Sequence, residues 1–426
     1  MSPAAPPVRP AARSSPARAF ASASLGGFLA FAASALAGQL VGLAEWIAGA
    51  RAYGARLPMK LGWLYLVSFH RVGIRLTSTR AFEIGDGPAT PGPYVSTLRV
   101  AVLAGTILAG ALLYRAGRAA ASHSGAGPWV GAAVALGYAV PILIGSLLVT
   151  LRLPDAGIVG VKAVAWEAFV LPFALAAIAG AAGALSTASL EGWPARLAAW
   201  VRTGWRMFAV AIALAFVGFV VLIGIRPDAS AAYVRWIERA GPVGALVATH
   251  HVLLLPDQSI WILAPAMGSC DSLSGSGSQA TTLCVRTLTV RPGWGEVAFG
   301  TPARTELAVP FLLFMLVPAV AVVAVAARST GGRTLGARVA DGMASGAAFA
   351  VIMWLAAIAS RISIDNAAGG AFISAGPEAA KTGLLALVWG LVGGAIGAGL
   401  PAVRFQEGEV GPGAELAPAP PRPTSA

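Results

Sequence analysis

The sequence predicts a helical membrane protein with several spans. Of its 426 residues, 57% are hydrophobic. Only 11% are charged, less than half of the roughly 25% found in ordinary soluble domains and too few to cover a water-facing surface. The apolar residues also gather into blocks of about 18 to 23, the length that crosses a hydrocarbon core as a helix. The expected fold is an all-α polytopic bundle. It has eight transmembrane helices in two parallel four-helix repeats, outer re-entrant or interfacial segments, and a little β in the outer loops.

Taken in order, residues 1–20 are rich in Pro, Ala and Arg and read as a disordered tail. The apolar stretch that follows, to about Ala50, exceeds the roughly 7–15 residues of a signal-peptide core, so it reads as a retained first span. Spans are expected at 28–50, 98–114, 129–151, 168–187, 207–225, 307–327, 343–360 and 382–403. Pro141, Pro172, Pro310 and Pro318 fall inside them and predict kinks that neighbouring helices tolerate. Gly180, Gly183, Gly393, Gly394 and Gly397 offer small faces for close packing. Residues 191–206 read as a cytoplasmic linker between membrane repeat 1 (21–190) and membrane repeat 2 (207–405). Trp193, Trp200 and Trp205 on that linker suit an amphipathic helix at headgroup level. Residues 406–426 read as a second disordered tail.

Orientation follows from basic loops. Arg115 and Arg118 follow the second span, Arg196, Arg202 and Arg206 precede the fifth, and Arg328, Arg333 and Arg338 separate the sixth and seventh. Eight spans put these loops on one side with both tails, the cytoplasmic side. Six basic residues between spans one and two (Arg51, Arg56, Lys60, Arg71, Arg75, Arg80) fit the rule poorly. The net charge of +12 is carried almost wholly by arginine, since Lys60, Lys162 and Lys381 are the three lysines. With the Ala, Gly and Pro bias this is the signature of high-GC bacterial coding, so the expected location is a bacterial inner membrane. The arginines are scattered, whereas nucleic-acid binding needs them clustered on one face, so the expected partner is the lipid bilayer and no nucleic acid. The outer loop 268–306 holds Cys270 and Cys284, the two cysteines of the chain. An oxidising outer compartment would let them form a disulfide.

The chain also reads as one unit written twice. Leu57-Pro58 precedes Trp63, and Leu255-Pro256 precedes Trp261, both offset by 198 residues. Arg75 and Arg286, and Thr90-Pro91 and Thr301-Pro302, are offset by 211. Arg152, Asp155 and Glu167 match Arg361, Asp365 and Glu378 at offsets of 209, 210 and 211. One insertion between Trp261 and Arg286 accounts for the change of offset. The counterpart of 243–268 is 57–70, whose apolar core from Leu61 to Phe69 is too short to span. Both are therefore expected to dip in from the outer face, with Pro58 and Pro256 breaking helices there. Short strands are expected at Val72–Thr79 and Thr282–Val290.

Few residues offer chemistry. His250, His251, Asp257 and Gln258 form the densest polar group near membrane depth. They read most simply as interfacial polar residues and, functionally, as a proton or substrate site. A metal reading needs a third ligand, so no metal and no cofactor is expected. Glu45 near the end of span one is either a proton-coupling acid or an interfacial partner of Arg51 or Arg56. Trp63, Lys60 and Trp261 on the two LPxxxxW elements complete the candidate substrate-binding set. The Arg/Asp/Glu sets of the two short outer loops read as salt bridges and caps, with a paired gate as the functional alternative. Nucleotide-binding, zinc-protease and serine-hydrolase signatures are absent, which argues against an enzyme. The expected function is a permease or channel for a small solute, with the site between the repeats. The rival is a non-transporting scaffold or regulator of envelope assembly.

Overall fold

The computed structural model describes residues 15–48, 57–79, 94–124, 127–153, 158–187, 191–225, 253–275, 281–284, 314–329, 334–366 and 370–400, with isolated positions 235 and 238. The first half runs α1 (Pro16–Ala48), α2 (Leu57–Ser68), β1 (Ile74–Ser78), β2 (Tyr94–Arg99), α3 (Leu103–Ser124), α4 (Val130–Leu148), β3 (Leu151–Leu153), β4 (Ile158–Ala163) and α5 (Ala165–Leu185). The second half runs α6 (Gly192–Ile225), α7 (Leu255–Ala266), β5 (Cys270–Gly275), β6 (Thr281–Cys284), α8 (Leu316–Ser329), α9 (Leu335–Ser360), β7 (Ile362–Asn366), β8 (Gly370–Pro377) and α10 (Ala379–Gly399). Among the described residues the two halves present the same order of elements.

Six helices among the described residues, α1, α4, α5, α6, α9 and α10, are long and apolar enough to cross a membrane. Their surfaces are inverted relative to a soluble protein. Large side chains such as Leu29, Leu36, Leu148, Ile178, Val217, Leu384 and Val392 point outward, while Ala23, Ala30, Ala176, Ala211, Ala386 and Ala398 are buried. This is what lipid demands: tails solvate the large apolar groups, and small residues let backbones approach. The approach is closest at glycines. A Cβ on Gly346 would lie 1.9 Å from the Gly390 carbonyl oxygen, and one on Gly117 would lie 2.0 Å from that of Gly180. These contacts fix the α9–α10 and α3–α5 seams. The packing partners recur too. α1 packs on α2, α3 and α4, and α5 on α3 and α4; α6 packs on α7, α8 and α9, and α10 on α8 and α9.

Two of the eight expected spans are not among the six. Residues 94–99, where the second expected span begins, form β2, and the helix that follows runs to Ser124 through Arg115 and Arg118. Of the sixth expected span, residues 307–313 lie outside the described residues, and the remainder falls on the 14-residue apolar helix α8. The expected linker is continuous with the fifth span in the 34-residue α6, because Pro194 sits in its first turn and nothing after it breaks the helix. Helix α1 likewise starts within the expected tail, at Pro16. The two LPxxxxW elements are 12-residue helices, α2 and α7. At about 1.5 Å per residue neither can span. Pro58 and Pro256 start these helices rather than break them, since a first-turn proline lacks only an N–H that has no helical partner.

The largest difference lies in the β structure. Where two short strands were expected, the described strands form one antiparallel sheet of eight, in the order β3-β4-β1-β2-β7-β8-β5-β6. Each half contributes a contiguous block of four. They join where β2 pairs with β7, Ser96 opposite Asn366 through Arg99 opposite Ser363. Strands of three to eight residues carry little signal individually, and the β2–β7 pairing is not local, so the sheet was hard to read from sequence. The expected strand 282–290 lies outside the described residues beyond Cys284. Its partner β5 falls within the expected outer loop 268–306. Seven of the described strands adjoin the same ends of their neighbouring helices, the C-termini of α2, α4, α7 and α9 and the N-termini of α3, α5 and α10, and the eighth, β6, pairs with β5. The sheet therefore caps one end of the bundle. Pro16 and Gly399 lie at the other, with Arg115, Arg118, Arg196, Arg328 and Arg338.

Candidate functional site

Polar chemistry concentrates where the two halves meet under the sheet. Helix α2 ends in a turn in which the Val72 N–H donates to the Val67 carbonyl (3.3 Å) and the Arg71 N–H to that of Ser68 (3.0 Å). This hydrogen-bond pair closes a helix with a left-handed residue, usually glycine. Here that residue is Arg71, at φ 56°, the one non-glycine residue of positive φ among those described. Helix α7 ends identically, with Ser269 N–H to Ala264 (3.0 Å) and Gly268 N–H to Pro265 (2.8 Å), and there glycine holds the left-handed position at φ 93°. The first half thus bears a strain of about 1–2 kcal/mol that the second avoids.

Arg71 is held among charges. Its Nη2 donates to the Arg361 carbonyl at 3.4 Å, while its buried Nε has no partner. Burial, with Arg361 and Arg99 nearby, pushes its guanidinium below the usual arginine range. Arg99, at the end of β2, bridges the halves. Its Nη2 donates to Glu167 Oε1 at 2.8 Å on α5, and its Nη1 pairs with Asp365 on β7. The hydrogen bond to Glu167 holds the Arg99 guanidinium above its ordinary value. Glu167 Oε2 also accepts from the Gly73 N–H at 2.6 Å. A Cβ on Gly73 would come within 2.9 Å of that oxygen and of Thr97 Cγ2, so glycine is required there.

His70, Arg71, Arg99, Trp166, Glu167 and Leu171 line a cleft of about 370 Å³. His70 is buried. Its Nε2 lies 3.0 Å from the Tyr138 hydroxyl on α4, and its Nδ1 has no partner. Burial holds its imidazole down to about 3, so it is neutral near pH 7. Trp166 at the start of α5 is 65% exposed, and Leu171 further along is 36% exposed. The cleft therefore opens at the lipid-facing side of α5, polar at its floor and apolar at its lip.

The residues expected from sequence lie elsewhere. Glu45 is buried and pairs with the Tyr65 hydroxyl of α2; Arg51 and Arg56, its expected partners, lie outside the described residues. Trp63 packs against Gly145 of α4 and, edge-on, against Phe31. Trp261 donates from Nε1 to the Ser360 carbonyl at 3.0 Å. Lys60 and Gln258 are half-buried on α2 and α7. Asp257 is buried and Oδ2 accepts from the Leu103 N–H at 3.2 Å, tying α7 to the first turn of α3. Burial pushes its carboxyl up to about 7. His250 and His251 lie outside the described residues. No cluster of three metal-ligating side chains occurs among the described residues. Of the loop sets, Glu167 and Asp365 do meet, on one arginine. The signal missed was Arg99 itself: an arginine within an expected span is costly and marks a site.

No family model, curated protein or solved structure matches the chain. The fold defines a helical membrane protein with an eight-stranded sheet across one end of its helices.

Proposed function

We propose that the protein is a non-transporting membrane scaffold that holds its sheet at one membrane surface for partners of the cell envelope. One observation carries this: the sheet runs unbroken across both halves, stitched by the β2–β7 ladder and by Arg99 between Glu167 and Asp365. A carrier working by alternating access must move one bundle against the other, and these bonds oppose that motion at the sheet end. Spin labels test it. In lipid nanodiscs, label pairs at the lipid-facing Leu148 and Leu384 (sheet end) and at Leu185 and Ile396 (far end) should each give one narrow distance distribution. A second sheet-end population would overturn the scaffold.

A permease or channel for a small solute is the second reading. It is favoured by the grouping of buried side chains into two apolar cores, one within the first half and one mostly within the second, as two mobile bundles would have. Solute flux through proteoliposomes above that of empty vesicles would select it.

Three further assignments belong to this proposal. The halves are a duplicated unit, supported by their common element order, packing partners, strand order and helix-ending turns. The sheet faces outward and both tails lie in the cytoplasm of a bacterial cell, supported by the arginines at the far end of α3, α6, α8 and α9. Cys270 and Cys284 form a disulfide, supported by their direct register on β5 and β6. Opposed residues of an antiparallel pair have Cα atoms about 4.5–5.5 Å apart, within the range a disulfide bridges. Mass analysis without reductant should find these peptides joined, and free thiols at both positions would refute the pairing.

A further inference from the structure

We propose that the cleft between Arg71, Arg99 and Trp166 binds the phosphate headgroup of one anionic membrane lipid. The inference is independent of whether the protein transports. Four observations converge. First, Arg71 occupies a left-handed turn position where the equivalent turn of the second half has Gly268. Strain of this kind persists where the side chain is needed. Second, Arg71 has no carboxylate partner among the described ion pairs, whereas Arg99 satisfies Glu167 and Asp365 together. Glu167 Oε2 also accepts a hydrogen bond from the Gly73 N–H. The two carboxylates near the cleft are thus occupied, and of the two arginines that line it Arg71 is the one without a described carboxylate partner; its Nη2 donates to the Arg361 carbonyl and its buried Nε is unpartnered. A guanidinium fork of this kind suits the bidentate geometry of phosphate.

Third, His70 lines the same cleft, fully buried, with Nδ1 unpartnered. Its imidazole, neutral near pH 7, keeps an unpartnered polar atom beside the cleft without adding charge. Fourth, the lip of the cleft is lipidic. Trp166 is exposed at the sheet end of a membrane helix, where interfacial tryptophans sit at headgroup level. Leu171, five residues along α5, is about 7.5 Å deeper and would receive the start of an acyl chain. A water-soluble anion has no use for that apolar side. The second half has glycine at the matching turn, so the expected stoichiometry is one lipid per chain.

The test uses the full-length protein in mild detergent, titrated with phosphatidylglycerol or phosphatidylcholine and read by native mass spectrometry. One phosphatidylglycerol should be retained per chain, and phosphatidylcholine should not. Arg71→Gly should weaken retention about tenfold, the loss of one charge-assisted contact, while melting no lower than the parent, because glycine suits the turn. Trp166→Ala leaves the turn untouched and should also weaken retention. Equal binding of the two lipids, or undiminished binding in both variants, would overturn the proposal. Displacement by equimolar inorganic phosphate would overturn the lipid as the source of the anion.

Discussion

Glu167 shows how one side chain organises several elements. Its two oxygens hold Arg99 and the Gly73 N–H, so the start of α5, the end of β2 and the approach to β1 share one carboxylate. Gly73→Ala would insert a methyl 2.9 Å from Glu167 Oε2. It should cost about 1–3 kcal/mol, as overpacking typically does, measured as a lower melting temperature in detergent. A parent-like melt would refute the contact. Asp257 supplies a pH test. Its folded-state value is raised to about 7 from 3.8, so between those values the folded chain binds the extra proton. Its contribution to stability is complete below about pH 4 and is lost as pH rises through about 7. The parent should therefore lose stability relative to Asp257→Asn as pH rises from about 4 to about 7, and no further above that. Parallel melting curves would remove Asp257 as the cause.

At the scale of elements, the helices associate through absent side chains. Gly346 and Gly390 each place a hypothetical Cβ about 2 Å from the other's carbonyl oxygen (1.9 and 2.2 Å). Gly346→Ala must separate α9 from α10 and should destabilise by about 1–3 kcal/mol. Gly110 on α3 meets nothing within 4 Å. Gly110→Ala should therefore be neutral or slightly stabilising, since alanine favours helix by about 1 kcal/mol. Thermal unfolding of the two variants side by side separates close packing from helix propensity, and equal effects would refute the seam. The strands behave differently. Each is short and takes its stability from its neighbours, so β2 depends on β1 in its own half and β7 in the other.

For the whole molecule, the junction between halves decides the behaviour. Cysteines replacing Ser96 and Asn366, a directly opposed pair on β2 and β7, should cross-link under mild oxidation in nearly every molecule and raise the melting temperature. Failure to cross-link would deny the continuous sheet. If the chain is a duplicated unit, co-expressed fragments 1–190 and 191–426 should assemble, because each contributes its own block of four strands. Fragments that never co-purify would count against the duplication.

The membrane class was decided by composition alone, because lipid solvates what water cannot, and a chain with 11% charged residues has no soluble alternative. Long apolar blocks marked most spans for the same reason, whereas Pro58 and Pro256 read as helix breakers and instead lie in the first turns of α2 and α7, because local sequence does not say on which side of a proline the helix lies. Glu167 and Asp365 were also visible as members of matching polar sets. Their meeting on Arg99 was not, because they are 198 residues apart in sequence and are joined through a strand pairing that no local pattern encodes. The cleft was hidden for the same reason. His70 and Arg71 come from a helix end, Arg99 from a strand end, and Trp166 with Glu167 from a helix start. Only the packing of the sheet across the helix ends brings these termini together.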